Sequence, residues 1–183
     1  MSQSKDSINL PPPESLAALY EQHSRQVLAA AFRVTGSRQD AEDVLQTVFL
    51  RLTRRWEEIE LTATVGSYLH RAAVNGSLDL LRSRSRGGSI PLDDLAAQLP
   101  DTGEASAERL MRGGEIRRDL REALLDLPEK SARVFVLRYF EGLKNEEIAS
   151  MLSMRRVTVV VTLHRTRKQL QSKLQQFAEG EAS

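Results

Sequence analysis

Residues 145–170 read NEEIASMLSMRRVTVVVTLHRTRKQL, and the fold follows from how this stretch is read. Ile148, Ala149 and Leu152 form the inner face of a short helix from about Glu146 to Leu152. After a turn, Val159, Leu163, Thr166 and Leu170 recur at i, i+4, i+7 and i+11, the stripe of a second, longer helix over about Arg156 to Gln176. The small Ala149 allows the two helices to approach closely. The unbroken β-branched run Val157 to Thr162 favours a strand by local propensity. A lone strand here has no partner, however, and the apolar stripe continues past the run with helical period. The spacing therefore predicts a helix-turn-helix whose second helix turns a basic, polar face outward, as entry into a DNA major groove requires. On spacing alone, a solvated basic helix in an ordinary bundle is equally compatible.

Upstream of this unit, Ile116, Leu120, Ala123, Leu124 and Leu127 keep helical period. Pro128 then breaks the chain and opens a helix containing Val134, Leu137 and Phe140. Gly142, with Leu143 after it, suits a helix C-terminus. Near the start, Pro13 opens a helix carrying Leu16, Leu19, Tyr20, His23, Val27, Ala30, Ala31 and Val34, which Gly36 terminates. Ser37 offers an N-cap with Asp40 three residues on, and Ala41, Val44, Leu45, Val48 and Leu52 make one stripe. A third helix runs from about Thr64 to Arg84, with Leu69, Ala72, Ala73, Gly76 and Leu80 on one side. Between Arg86 and about Gly114 the chain is rich in Gly, Pro, Ser and acids, and reads as a linker with a weak helical turn at Leu92 to Leu99.

The expected fold is all-α: two small helical bundles joined by a flexible linker, the C-terminal one containing the helix-turn-helix. The expected partition is a tail at 1–12, a first bundle at 13–86, a flexible acidic linker at 87–113, a second bundle at 114–176 and a tail at 177–183. Net charge is only +1 over 183 residues, yet it is segregated. Ile148 to Ala178 holds no acid, and Arg82, Arg84 and Arg86 form a second basic stretch, an arrangement that attracts polyanions locally. The absence of cysteine excludes disulfides and thiolate metal sites. His23, His70 and His164 lack ligand spacing, so neither a metal nor any other cofactor is expected. No phosphate loop or nucleophile cluster points to an enzyme. The sequence has no signal-peptide pattern and no apolar stretch of membrane-spanning length, which makes the cytoplasm the default and membrane insertion unexpected.

Three motifs together carry a family resemblance. Leu127-Pro128, with VFVLRYFEGL at 134–143, EEIA at 146–149 and the 158–170 stretch, resembles the C-terminal, minus-35-binding domain of extracytoplasmic-function (ECF) sigma factors of the sigma-70 family. DAEDVLQTVFLRL at 40–52 resembles their core-polymerase-binding helix. YLHRAAVN at 68–75, with Asp79 and Leu80-Leu81-Arg82, resembles the helix that handles the minus-10 element. The resemblance implies core RNA polymerase and promoter DNA as partners, allows an anti-sigma factor as a third, and implies no small-molecule substrate.

Carried over residue by residue, the polymerase-binding set is Asp40, Glu42, Asp43, Gln46, Thr47, Phe49, Leu50 and Arg51. The minus-10 set is Arg71, Asn75, Asp79, Arg82, Arg84 and Arg86, beside a base-capturing loop at about Ile59 to Gly66. Asp79 is equally readable as a structural cap or as an ion-pair partner of Arg82 or Arg71. The minus-35 set is Arg155, Arg156, Thr158, Val161, Thr162, His164, Arg165, Arg167 and Lys168. The chain departs from the family where Ser153 stands for a frequent Gly, Arg155 for a capping Ser, and Val160 and Thr162 for Lys or Arg. Valines reach thymine methyls but do not read guanine. The alternatives left open are a helix-turn-helix regulator, which leaves 40–52 and 68–82 unexplained, and a sigma-like adaptor without promoter specificity of its own.

Overall fold

The computed structural model describes residues 16–54, 65–87 and 107–180, with the backbone alone at 107–112 and 178–180. Seven helices make up these stretches: α1 (Leu16–Thr35), α2 (Arg38–Arg54), α3 (Val65–Arg86), α4 (Ala107–Leu125), α5 (Glu129–Tyr139), α6 (Asn145–Met151) and α7 (Arg156–Gly180). The expected all-α class holds, and the described residues contain no strand. Helices α1 to α3 form one bundle and α4 to α7 the other. The expected helical turn at 92–99 and most of the loop at 59–66 lie outside the described residues.

Local signals act as the sequence suggests. Gly36 takes a φ of 70° to end α1, and the Ser37 hydroxyl accepts the Asp40 amide at 3.3 Å to begin α2. The α2 stripe Ala41, Val44, Leu45, Val48 and Leu52 is buried throughout. Gly142 also sits at φ 70° after α5, and the Leu143 amide reaches back to the Leu137 carbonyl at 3.0 Å, closing the helix end. Two expectations are corrected. Helix α4 starts at Ala107, so the last residues assigned to the linker are helical. Ile116, expected on the buried stripe, is 58% exposed.

Helix α3 is the larger surprise. The sequence gives it one apolar side, yet it buries two. Leu69 and Ala73 join Leu19, Val27, Ala30 and Val44 in the core of the first bundle. Val74, Leu78 and Leu81, with Val34 of α1, join Leu124, Leu127, Val134, Leu137, Ile148 and Val159 in the core of the second. The two bundles are therefore packed on each other along a seam.

Polar contacts fasten this seam. Glu141, in the loop after α5, receives Arg33 Nε at 2.8 Å and Arg33 Nη2 at 2.5 Å. Its Oε2 also lies 2.7 Å from His70 Nε2 on α3. Arg71 Nη1 donates to the Met151 carbonyl at 3.0 Å, and Arg121 Nε donates to the Val34 carbonyl at 3.0 Å. Burial alone would raise the Glu141 pKa, but hydrogen bonds and charge from Arg33 and His70 together outweigh it and lower the carboxyl from 4.5 to about 2. Arg133 of α5 is paired with Glu129 one turn earlier. Its pKa is lowered by burial first; Asp79 pulls the other way, and Arg82 and Arg71 add to the lowering.

Two predictions follow from these features. Ser153, in the turn between α6 and α7, sits at φ 51°, the left-handed region that costs a side-chain-bearing residue about 1–2 kcal/mol. Ser153→Gly relieves that strain against roughly 0.5–1 kcal/mol of added chain entropy. It should stabilise the protein by about 0.5–1 kcal/mol in denaturant melts, whereas Ser153→Val should destabilise it. The second concerns pH. A carboxyl depressed in the folded state contributes stability that is complete above its unfolded pKa and lost as pH falls through the folded one. The advantage of the wild type over Glu141→Gln in urea unfolding should thus be full above pH 4.5 and fade toward about pH 2. A constant difference across that range would show that Glu141 does not titrate as paired.

Candidate nucleic-acid and polymerase interfaces

The helix-turn-helix forms as its spacing predicts. The Lys144 amide donates to Glu147 Oε2 at 2.6 Å at the start of α6. Ile148 and Ala149 are buried, and the turn closes through Met154 N–H to the Ala149 carbonyl at 2.8 Å. On α7, Val159, Leu163, Thr166 and Leu170 are all buried against the bundle. The β-branched run is helical throughout, because Val159 anchors it by burial while the helix on either side continues.

The opposite face of α7 is free. Arg155, Arg156, Thr158, Val161, His164, Arg165, Arg167 and Lys168 are exposed and Thr162 is half-buried, so the whole expected minus-35 set lies on the solvent side or its edge. Arg156 Nε is 2.5 Å from Glu146 Oε1 on α6, which fixes it at the start of the helix. Val157 and Val160 are exposed as well, at 72% and 45%. An open groove of about 480 Å³ runs beside them, lined by Arg138, Tyr139, Asn145, Val160, Val161, Leu163, His164, Arg165 and Arg167. Its cationic side chains outnumber its acids, of which it has none. The flank from α5 and α6, Arg138, Tyr139 and Asn145, was missed by the sequence reading, since no periodicity links those positions to α7.

The α2 set divides. Glu42, Asp43, Gln46, Thr47, Leu50 and Arg51 are exposed, with Leu50 at 60%. Glu42 pairs with Arg38 at 3.0 Å one turn earlier. Asp40 and Phe49 are buried. Phe49 packs edge-on against Tyr20 with ring centroids 4.9 Å apart. Asp40 is fully enclosed and ion-paired to Arg84 of α3, whose Nη2 is also 4.0 Å from Asp43 Oδ2. These two residues support the exposed strip from beneath.

On α3, the minus-10 set is spread along the helix. Arg71 is held by the Met151 carbonyl, Asn75 is half-buried, and Arg84 is engaged with Asp40. Arg82 Nη1 lies 3.9 Å from Asp79 Oδ1, which favours the ion-pair reading of that exposed carboxylate. Arg86 is exposed, its Nε donating to the Arg82 carbonyl at 3.3 Å.

A basic helix-turn-helix packed on a second helical bundle defines a DNA-binding transcription protein. Comparison with known proteins narrows the class. Residues 19–87 match the Sigma-70 region 2 family and residues 117–170 match Sigma-70, region 4. The chain is 33% identical over 156 residues to the ECF RNA polymerase sigma factor SigE of Mycolicibacterium smegmatis, covering 85% of this chain and 60% of that one. It is 33% identical over 149 residues to the RNA polymerase sigma-E factor of Streptomyces coelicolor, covering 81% and 79%. With the ECF sigma factor SigW of Bacillus subtilis the identity is 24% over 172 residues, covering 88% and 89%. The fold is shared with the sigma factor RpoE of Bartonella quintana, solved in complex with the anti-sigma factor NepR, at a TM-score of 0.53 and 17% identity over 87% of this chain and 96% of that one. The chain belongs to the ECF group of the sigma-70 family. No helix among the described residues is long and apolar enough to cross a membrane.

The burial of Asp40 gives a test that separates support from surface. Asp40→Ala removes the enclosed partner of Arg84 and should destabilise the protein by about 1.5–3 kcal/mol in denaturant unfolding. Asp43→Ala, at an exposed site, should change stability by less than about 0.5 kcal/mol.

Proposed function

We infer that the protein binds core RNA polymerase through α2 and directs promoter recognition through α3 and α7, acting as a transcription-initiation factor in the cytoplasm rather than as an enzyme. The observation that carries this reading is the division of α7: one stripe wholly buried, the opposite face basic and open. A merely solvated helix has no need of acid-free charge beside an exposed Thr and Val strip. Polymerase binding is supported by Asp43, Gln46, Thr47 and Leu50, which lie at i, i+3, i+4 and i+7 and are all exposed. They offer a polar, acidic strip with an apolar patch that suits a basic helical partner.

On duplex DNA, Arg155, Arg165, Arg167 and Lys168 supply phosphate contacts, and Thr158, Val161 and Thr162 supply base discrimination biased to thymine. The residues assigned to the minus-10 strand are Arg71, Asn75, Asp79, Arg82, Arg84 and Arg86. The Bartonella quintana relative is solved with an anti-sigma factor, and a dedicated anti-sigma protein is proposed here by analogy.

Run-off transcription with purified core polymerase on genomic fragments is the direct test. Promoter-specific transcripts are expected, and their absence despite DNA binding would favour an ordinary regulator. Asp43→Lys with Gln46→Lys should weaken polymerase binding while leaving the circular dichroism intact. Removal of one phosphate-contacting Arg from α7 should lower the magnitude of the salt slope by about one on all sequences. Val161→Lys should instead change which minus-35 sequences are used. A uniform affinity gain with unchanged preference would take Val161 out of base readout.

A further inference from the structure

Helix α3 ends in Arg82-Ser83-Arg84-Ser85-Arg86, two serines set between three arginines. Both serines are exposed, and neither hydroxyl has a hydrogen-bond partner among the described residues. Ser77 on the same helix differs, its buried hydroxyl donating to the Ala73 carbonyl at 2.8 Å. Serine is a weaker helix former than alanine, and at 83 and 85 it neither caps nor packs. Folding therefore gives no reason for a hydroxyl at either position.

We propose that Ser85 is a phosphoacceptor for an arginine-directed serine kinase, and that the phosphate it takes up withdraws Arg82 and Arg86 from the promoter strand. The second half rests on the promoter reading. Arg82 and Arg84 stand three residues and one residue ahead of Ser85, a cationic pattern that an acidic substrate cleft selects. Ser83 has Leu80 at the first of those positions. Arg84 is committed to Asp40. Arg82 is held loosely, with Nη1 3.9 Å from Asp79 and Nη2 lacking a hydrogen-bond partner among the described residues.

A kinase cleft takes its substrate extended, and Ser85 lies one residue from the end of α3, where helices fray. That end is closed by the Gly87 amide, shared between the carbonyls of Ser83 at 3.2 Å and Arg84 at 2.9 Å. In the transfer, Ser85 Oγ attacks the γ-phosphorus of ATP. The Oγ–P bond forms and the bond from that phosphorus to the β,γ-bridging oxygen breaks. ADP leaves, and the hydroxyl proton passes to a base of the kinase.

The phosphate brings about −1.5 to −2 charges at pH 7 and three acceptor oxygens. Position 85 is three residues after Arg82, so the two side chains are neighbours on the helix surface. Arg86 adjoins it, and its Nε is spent only on the Arg82 carbonyl at 3.3 Å, a weaker contact than a charge-assisted bond to phosphate. The charge of the three arginines falls from +3 to about +1. Negative charge in the last turn also opposes the helix dipole and loosens the end that carries Arg86. Helix α7 lies apart from this change, which therefore acts on one DNA interface and spares the other.

The full-length protein, treated with ATP and an arginine-directed serine kinase, should gain a phosphoryl group that mass spectrometry maps to Ser85. Ser85→Ala should gain none there. Bound to core polymerase, the phosphorylated protein should hold single-stranded minus-10 DNA about tenfold more weakly, the loss of one charge-assisted contact. The magnitude of its salt slope should fall by about 0.7 for each arginine withdrawn. Duplex minus-35 affinity and affinity for core polymerase should stay within about twofold, as expected of separate sites. Unmodified Ser85→Ala should bind the strand as the wild type does.

Failure of Ser85 to take up phosphate overturns the proposal, and so does uptake at Ser83 alone. A phosphorylated protein whose affinity for the strand is unchanged overturns it equally. If the unmodified protein with core polymerase binds no minus-10 strand, the promoter reading fails instead, and the mapped phosphate still decides whether Ser85 is the acceptor.

Discussion

Helix α3 has to bury two faces at once, and the rest of the molecule is arranged around that constraint. Leu69 and Ala73 close the first bundle, while Val74, Leu78 and Leu81 complete the core of the second. A helix surrounded in this way has little room for polar side chains, and several of those near the core are held by a specific partner. Ser77 turns its hydroxyl back to the Ala73 carbonyl at 2.8 Å. His70 is spent on Glu141 and Arg71 on Met151. The positions left for solvent are then few, and they fall near the C-terminal end, at Asp79, Ser83, Ser85 and Arg86.

Two enclosed carboxylates divide the structural work. Asp40 and Glu141 are both shielded from water and each is held by an arginine from another helix, yet they join different things. Asp40 with Arg84 stitches α2 to α3 inside one bundle, below the strip assigned to polymerase. Glu141 with Arg33 and His70 ties one bundle to the other. Removing one partner from an enclosed pair strands the other charge, so such pairs have large effects when broken even where their net stabilisation is small. In a bundle interior that property secures a fold. Between two bundles it fixes how one core is seated on the other.

How much of this was legible in the sequence depended on the range of the interaction concerned. The buried stripes of α2 and α7 were readable because periodicity is local: Val159, Leu163, Thr166 and Leu170 needed only helical geometry to be assigned inward. The end of α1 at Gly36 and the Ser37 cap were readable for the same reason. The second face of α3 was not. Val74, Leu78 and Leu81 continue a pattern that, on one helix, looks like a broad apolar side, and only a packed neighbour distant in sequence gives them a separate core. Glu141 lies 108 residues from Arg33 and 71 from His70, and nothing in its own neighbourhood marks it as enclosed. Of the α2 set, the exposed positions were legible, whereas Asp40 entered the set through the family resemblance, and only the distant Arg84 of α3 shows it enclosed and paired.

The recognition helix shows where local propensity and use diverge. Val157, Val160 and Val161 gain nothing from the core, being 72%, 45% and 42% exposed, and each carries the χ1 restriction that makes valine a weak helix former. Replacing them with alanine or lysine would favour the helix and hydrate its surface better, so their presence is unexplained by folding. Scattered apolar residues on a surface need no special account, but three of them on the open face of a helix with cationic flanks form a patch with a chemical bias. Under the proposed promoter reading, methyl groups there would favour thymine over bases that offer only hydrogen-bonding edges, while the arginines would hold phosphate regardless of sequence. In that reading the helix separates affinity from selectivity along its length. The division is consistent with an apolar centre held in register by buried Val159 and by Leu163, Thr166 and Leu170 after it.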